Sequence, residues 1–224
     1  MRGSLLCDND VVLKGCCYDL SLEILLCLGR IGEIYILGSA QYVIQNRIAR
    51  SKTIAHRLVA AENFEVFFSA VQIAEPSDEE VRLAAEFEAE AQTHNLALDS
   101  GESLLLAILL ARNVPLLVTG DKRAITSTEM LSTISASAAA IKRRIACIEQ
   151  MFLSLLKYED FAMLQLRVCQ EPKIDVALSN CFTCASGSGS RANAVEGLTS
   201  YVKSLQNSAA RVLIGSSDLS SVIP

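Results

Sequence analysis

The chain has 224 residues, of which 51% are hydrophobic and 20% are charged, and its formal net charge is −5. This length allows one ordinary domain with an appendage, or two small domains, and the composition excludes a chain that is disordered throughout. The longest apolar runs, such as residues 104–111, are far shorter than the roughly 20 residues of a membrane helix, so we expect no membrane association. The acidic charge does not by itself predict nucleic-acid binding, which usually requires a basic surface.

The first predicted element is a short buried strand at residues 4–7, which ends at the polar residues Asp8, Asn9 and Asp10. Residues 18–28 are apolar at helical spacing and are followed by glycines, so they predict a helix. Residues 33–37, EIYIL, are β-branched and aromatic and predict the second strand. The chain therefore begins as an alternation of strands and helices.

Ser39 is a plausible cap for the next predicted helix, and a cationic cluster follows it. The cluster consists of Arg47, Arg50, Lys52 and Arg57. A solvated helix face is the preferred interpretation of these charges, and a rim that contacts phosphates is the alternative.

Further along, residues 55–61 predict a short helix, residues 62–74 a strand-like segment, and Pro76 and Ser77 the start of an acidic helix.

The stretch at residues 96–124 carries three acids around one helix and one strand. Asp99 or Ser100 is expected to cap an apolar helix, Glu102 lies in its first turn, and Asp121 follows a buried strand at residues 116–118. Capping and the helix dipole alone explain Asp99 and Glu102, but they do not explain Asp121. Because helix N-termini and strand C-termini meet at one edge of an α/β sheet, these acids are expected to converge with Asp8. Oxygen ligands of this kind suit Mg²⁺ or Mn²⁺, which activate water for attack on a phosphodiester.

Three segments, LLCDNDVVL, LDSGESLLLAILLA and LLVTGDKRAI, together resemble the PIN-domain superfamily of metal-dependent ribonucleases. The resemblance implies a three-layer α/β/α fold with a mostly parallel sheet, covering residues 1–150 if residues 144–150 form the closing strand. It implies that Asp8 is the first metal-binding acid and Asp10 a nearby assistant. It also implies that Asp99 and Glu102 are the central acids and Asp121 the last, so that all five hold Mg²⁺ or Mn²⁺.

The resemblance implies a nuclease that cleaves RNA, with DNA as the alternative, and it admits a toxin-type enzyme with an antitoxin or another protein partner. One departure matters: many PIN nucleases carry a further acid on the helix after the second strand, where this chain has Gln41. Glu102, Glu62 or Glu65 could supply the missing charge, or catalysis is lost. A catalytically silent PIN-like binding or interaction module is therefore the second hypothesis.

Residues 151–224 are predicted to form a helical extension. Helices are expected at residues 157–170, 173–184 and 192–213, with a flexible loop, SGSGSR, at residues 186–191. Packing of the last helix against the domain is preferred over a homodimer or partner surface. Eight cysteines without a secretory segment indicate a cytoplasmic chain with buried free thiols. Cys181 and Cys184 are expected to be core cysteines on a helical face, with half of a zinc site or a redox pair as alternatives.

Overall fold

The computed structural model describes residues 3–222. Residues 1–2 of the predicted domain and residues 223–224 of the predicted helical extension therefore lie outside the described part. Five strands occur in the described part: β1 Gly3–Cys7, β2 Gly32–Leu37, β3 Gln72–Ala74, β4 Leu116–Thr119 and β5 Ile145–Cys147. The helices up to β5 are α1 Asn9–Cys17, α2 Ser21–Gly29, α3 Ala40–Arg50, α4 Arg57–Ala70, α5 Asp78–Thr93, α6 Ser100–Ala111 and α7 Lys122–Ile134. Those after β5 are α8 Ile148–Tyr158, α9 Phe161–Gln170, α10 Val176–Cys181 and α11 Arg191–Ser208.

The strands form one sheet in the order β3-β2-β1-β4-β5, and every neighbouring pair is parallel. Leu6 of β1 is in register with Tyr35 on one side and with Leu117 on the other. The central strands are buried, as a parallel sheet covered on both faces requires. The predicted α/β fold with a parallel central sheet is therefore confirmed.

The direction of winding reverses at the middle of the sheet. From β1 the chain moves outward through β2 to β3, and it then returns to place β4 on the other side of β1. Right-handed crossovers put α1–α4 on one face and α5–α7 on the other. The packing agrees, because α1 contacts α3 and α4, whereas α5 contacts α6 and α7. The carboxyl ends of β1 and β4 therefore flank the topological switch point, where ligands bind in folds of this type.

The segment after β5 packs on the same hydrophobic core. Helix α8 contacts α2 and α11, and α11 buries Ala194, Leu198, Val202 and Leu205. Beyond α11 the chain extends the sheet edge: Ile145 N–H donates to the carbonyl of Val212 at 3.0 Å, and Ile214 N–H donates to the carbonyl of Ile145 at 2.8 Å. Within the described residues, α11 therefore packs against α8 and α10 with its apolar face buried. No helix within residues 3–222 is long and apolar enough to cross a membrane.

Several predicted boundaries were wrong. The helix expected at residues 18–28 begins only at Ser21, as α2, because Asp19 adopts a left-handed backbone (φ 54°) just before it, and α1, at Asn9–Cys17, was not predicted. The strand-like segment expected at residues 62–74 is mostly the end of α4, with only β3 extended. The closing strand is shorter than residues 144–150, since α8 begins at Ile148. Ser39 stands at the N-terminus of α3, but its side chain makes no capping hydrogen bond.

The cysteines also differ from expectation at two positions, Cys169 and Cys184. Cys184 is bonded to Cys169, so it is not a free core cysteine, and it forms neither a redox pair nor half of a zinc site with Cys181. The disulfide closes a loop that contains α10. The other six cysteines are free and buried, as predicted, and Cys181 lies at the end of α10.

Candidate active site

Four of the predicted site residues lie around the switch point of the sheet. Asp8 directly follows β1, and Asp121 follows the neighbouring strand β4. Asp99 immediately precedes α6, and Glu102 lies in its first turn. Each of Asp8, Asp99 and Asp121 also occupies the N-cap position of a helix, so backbone N–H groups and positive dipole ends face this edge.

Asp8 is the most deeply buried of these acids, with 8% of its surface exposed. Its Oδ2 atom accepts a hydrogen bond from the hydroxyl of Thr119, the last residue of β4, at 2.8 Å. Burial raises the pKa of Asp8 to about 6, and the charges of Asp10 and Asp99 act in the same direction, while the Thr119 hydrogen bond opposes them. The surroundings of Asp8 therefore destabilise the charged form of its carboxyl group.

Asp99 and Glu102 form a reciprocal capping box at the start of α6. Asp99 Oδ1 accepts from the backbone N–H of Glu102 at 2.8 Å, and Glu102 Oε2 accepts from the backbone N–H of Asp99 at 2.9 Å. These bonds leave Asp99 Oδ2 and Glu102 Oε1 outside the box. Burial first, and then the charges of Asp99, Asp121 and Asp8, raise the pKa of Glu102 to about 7 against the opposing hydrogen bond from the backbone of Asp99.

Asp121 caps α7 and is the acid that is best stabilised in its charged form. Its Oδ1 atom accepts from the backbone N–H groups of Arg123 at 2.8 Å and Ala124 at 3.3 Å. Its Oδ2 atom lies 3.2 Å from the guanidinium of Arg123. Burial acts to raise the pKa of Asp121, but the bonds and charge of Arg123 outweigh it, so the pKa falls below its ordinary value.

Asp10 faces a lysine instead of the other acids. Lys14 Nζ lies 2.6 Å from Asp10 Oδ2 and 2.7 Å from Asp175 Oδ2, and only 7% of Lys14 is exposed. Burial acts to lower the pKa of Lys14, but these two carboxylates raise it above its ordinary value. Gly120 permits this packing, because a Cβ atom there would lie 2.2 Å from Asp10 Oδ2. The structure thus gives Asp10 a different environment from the other four acids.

Charge balance distinguishes Asp8, Asp99 and Glu102 from the other acids at this edge. Asp10 and Asp121 each have a cationic partner, whereas these three form no ion pair within residues 3–222. Asp8 and Glu102 also line one small cavity with Thr119. In the described part of the chain, no three or more His, Cys, Asp or Glu side chains are already arranged to hold a metal ion. The edge therefore concentrates uncompensated negative charge without a preformed coordination shell.

Glu62 and Glu65, two of the residues considered for the missing further acid, form no ion pair or side-chain hydrogen bond with the acids of this edge within residues 3–222. Gln41 lies in the first turn of α3, after β2. Glu65 is exposed on α4, where its Oε1 accepts from Gln45 at 3.3 Å, and Glu62 is exposed on the same helix. Among these candidates, Glu102 is the one whose pKa reflects the charges of Asp8, Asp99 and Asp121.

Three residues at the sheet edge were missed by sequence reasoning. Thr119 and Lys14 gave no separate signal, because a threonine at a strand end and a lysine on a helix are common. Glu149 had a signal: it is an acid two residues after the end of β5, close to where Asp8 stands after β1, and it is fully buried. Its Oε1 lies 2.5 Å from Lys122 Nζ, although neither oxygen has a partner in hydrogen-bond geometry within residues 3–222. We take the ion pair as the physical interaction, since a charge at this distance needs no ideal angle.

Comparisons with known proteins gave no match: no family model, no curated protein and no solved structure is significantly similar to this chain.

Proposed function

We propose that the protein is a Mg²⁺- or Mn²⁺-dependent phosphodiesterase that cleaves nucleic acid, with RNA as the preferred substrate, in the manner of a PIN-like ribonuclease. The observation that carries the proposal is the set of carboxylates without counter-charge, Asp8, Asp99 and Glu102, next to Asp121 at the switch point. Asp8 is buried and Glu102 is partly buried, so keeping both charged beside Asp99 is costly unless a cation neutralises them. The resemblance of the three acid-bearing segments to PIN domains adds support. The cytoplasmic location is part of the proposal and rests on the cysteines, six of which are buried free thiols.

The donor set fits a hard divalent cation. All the groups are carboxylate oxygens, which Mg²⁺ and Mn²⁺ prefer, and these ions keep several waters, so a few protein ligands suffice. The capping box leaves Asp99 Oδ2 and Glu102 Oε1 available. We assign metal ligation to Asp8, Asp99 and Asp121, and support to Glu102. Asp10, whose charge Lys14 balances, is assigned a weaker supporting role.

When bound, the cation would lower the pKa of a coordinated water and stabilise charge on the phosphodiester oxygens. The chain's own groups prepare for this. Thr119 orients Asp8, the capping box orients Asp99 and Glu102, and backbone N–H groups fix Asp121. A ligand set held by such secondary contacts loses little entropy when it binds.

The proposal is tested with the double variant Asp8→Asn and Asp121→Asn, assayed for cleavage of a labelled RNA in Mg²⁺ or Mn²⁺. Asparagine at position 8 still accepts from Thr119, and asparagine is a strong N-cap at position 121, so the fold is retained. Cleavage is expected to fall to background. The variant Asp78→Asn, in the exposed first turn of α5, makes the same kind of charge change elsewhere and should cleave normally. An unchanged rate in the double variant would contradict the proposal.

Calorimetry with Mn²⁺ supplies a readout that does not depend on cleavage. The wild type should bind Mn²⁺ at millimolar or lower concentration, and the double variant should not. If the wild type shows no binding in this range, the nuclease assignment is wrong whatever the substrate.

A catalytically silent PIN-like binding module is the second candidate. Gln41 stands where many PIN nucleases carry an acid, and Lys14 neutralises Asp10. Mn²⁺ binding without cleavage of any RNA or DNA tested would favour this module over the enzyme.

A further inference from the structure

A second cavity lies beside the acidic edge, between α1, α3 and the segment that follows α3. Its volume is about 390 Å³, which is in the usual range for ligand sites. One end is formed by Asp10 and Lys14, and the side formed by α3 is polar and cationic, with Asn46, Arg47 and Arg50. Two of the four cationic residues that the sequence showed near α3 therefore line a concave surface.

The two arginines of this cavity are free to bind an anion. Arg47 and Arg50 are exposed, and neither forms an ion pair within residues 3–222. Lys14 differs, since Asp10 and Asp175 already balance its charge. Counting these five side chains, two charges are negative and three are positive, so the cavity keeps a net charge of +1. It is a local cationic site on a chain whose net charge is −5.

The cavity is continuous with the acidic edge through Asp10. Asp10 lines the cavity, and its carboxylate packs against Gly120, which lies between Thr119 and Asp121. Thr119 in turn donates to Asp8. Arg47 and Arg50 therefore line a cavity that adjoins the acidic edge on the side of Asp10.

From this arrangement, we propose that the cavity binds the phosphate backbone of a single-stranded nucleic acid adjacent to the acids. In naming the ligand, this inference rests on the proposed function. Arginine contacts phosphate through paired, planar N–H donors, and a positively charged groove beside a functional centre is how single strands are held without sequence preference. Binding of an acidic peptide in place of a nucleic acid is an outcome that the test below distinguishes.

The test measures binding of a fluorescent 20-nucleotide oligouridylate by anisotropy in EDTA, so that neither metal nor cleavage contributes. The double variant Arg47→Gln and Arg50→Gln is compared with Lys52→Gln. Lys52 is an exposed neighbour on the same segment that does not line the cavity. The double variant should bind at least 10-fold more weakly, and Lys52→Gln should change the affinity by less than twofold.

Salt dependence gives an independent readout of phosphate contact. On single strands, each neutralised phosphate contributes roughly 0.7 to the slope of log affinity against log salt concentration. If each arginine contacts one phosphate, the double variant should lose roughly 1.4 from that slope. Arg47→Lys with Arg50→Lys retains both charges and should keep most of the slope.

Three outcomes would overturn the inference: no binding by the wild type at low salt, equal effects of the double variant and Lys52→Gln, or arginine-dependent binding of polyglutamate in place of RNA. These outcomes are separate from failure of the proposed function. Arginine-dependent binding in EDTA without cleavage in Mn²⁺ supports the cavity and contradicts the nuclease. Cleavage with an unchanged KM in the variant with Arg47→Gln and Arg50→Gln supports the nuclease and contradicts nucleic-acid binding by the cavity.

Discussion

The hydroxyl of Thr119 joins the ends of the two central strands: it donates to Asp8 Oδ2 at 2.8 Å and accepts from the backbone N–H of Asp121 at 3.1 Å. Because the bond to Asp8 lowers the pKa of that acid, Thr119→Val should raise the pKa of Asp8 above its present value of about 6. It should also reduce the free energy of unfolding by about 1–3 kcal/mol, since a buried carboxylate loses its donor. Carboxyl ¹³C NMR titration and urea denaturation measure the two effects.

Thr119→Ser is the matched control, because it keeps the hydroxyl and removes one methyl group. It should retain the titration of Asp8 and the Mn²⁺ affinity of the wild type. Thr119→Val should bind Mn²⁺ more weakly at pH 6–7, because a carboxyl group must lose its proton to become a ligand. An Asp8 titration that is the same in both variants would show that the hydrogen bond has no electrostatic role.

Asp8 should also make the free energy of unfolding fall as the pH rises. A carboxyl group whose pKa is lowered on folding has the opposite effect. The pKa of Asp8 is about 6 in the folded protein against an ordinary value of 3.8. The folded state therefore holds the proton more tightly than the unfolded state, so this contribution stabilises the protein below pH 4 and is lost as the pH rises to 6. A pKa difference of this size corresponds to about 3 kcal/mol.

Asp8→Asn removes this titration and isolates its effect. In EDTA, the variant should become more stable relative to the wild type as the pH rises from 4 to 7, by up to about 3 kcal/mol. Saturating Mn²⁺ should stabilise the wild type and reduce the difference, because the cation binds the folded state. Urea denaturation at several pH values checks this, and a stability difference that stays constant from pH 4 to 7 would contradict it.

Asp99 combines a structural role with the proposed chemical one, and a single substitution separates them. Asp99→Ser keeps an N-cap oxygen and a capping-box pattern with Glu102, so unfolding free energy should change by less than about 0.5 kcal/mol. Mn²⁺ affinity should nevertheless fall at least tenfold. Ser190→Ala is the control: it removes an N-cap at α11, which should cost about 1 kcal/mol without any effect on Mn²⁺. If Asp99→Ser binds Mn²⁺ as tightly as the wild type, Asp99 caps α6 but is not a metal ligand.

The sequence predicted those parts of the fold that depend on local pattern. The central strands are apolar runs that end at polar residues, so β1, β2 and β4 were placed nearly at their observed positions. The strand-like segment predicted around Phe64 and Phe67 was wrong, because the sequence FEVFF has high local strand propensity although it forms a helix. The helix is favoured by the spacing of the apolar residues. Ala60, Phe64 and Phe67 are separated by four and three residues, so they bury one face of α4.

The sequence also predicted which acids share an edge, because parallel strands bring their carboxyl ends together. It could not predict how those acids are balanced. The second partner of Lys14 is Asp175, more than 150 residues away, and no local pattern links the two. The same limit applies to the disulfide between Cys169 and Cys184, since spacing alone cannot identify a pair.

Lys14 lies between the carboxylates of Asp10 and Asp175, which would otherwise face each other inside the protein. Lys14→Met removes the charge while keeping an unbranched side chain of similar length. Asp10 and Asp175 then lose their shared cation, and removing one partner of a buried ion pair typically costs about 3–5 kcal/mol. Lys52→Met, at an exposed position, should change stability by less than about 0.5 kcal/mol.

Adding Asp10→Asn and Asp175→Asn to Lys14→Met should restore part of the loss, because the unpaired charges are gone. Urea denaturation at pH 7 measures all three proteins, and a triple variant less stable than Lys14→Met would show that packing, and not charge, explains the burial of Lys14.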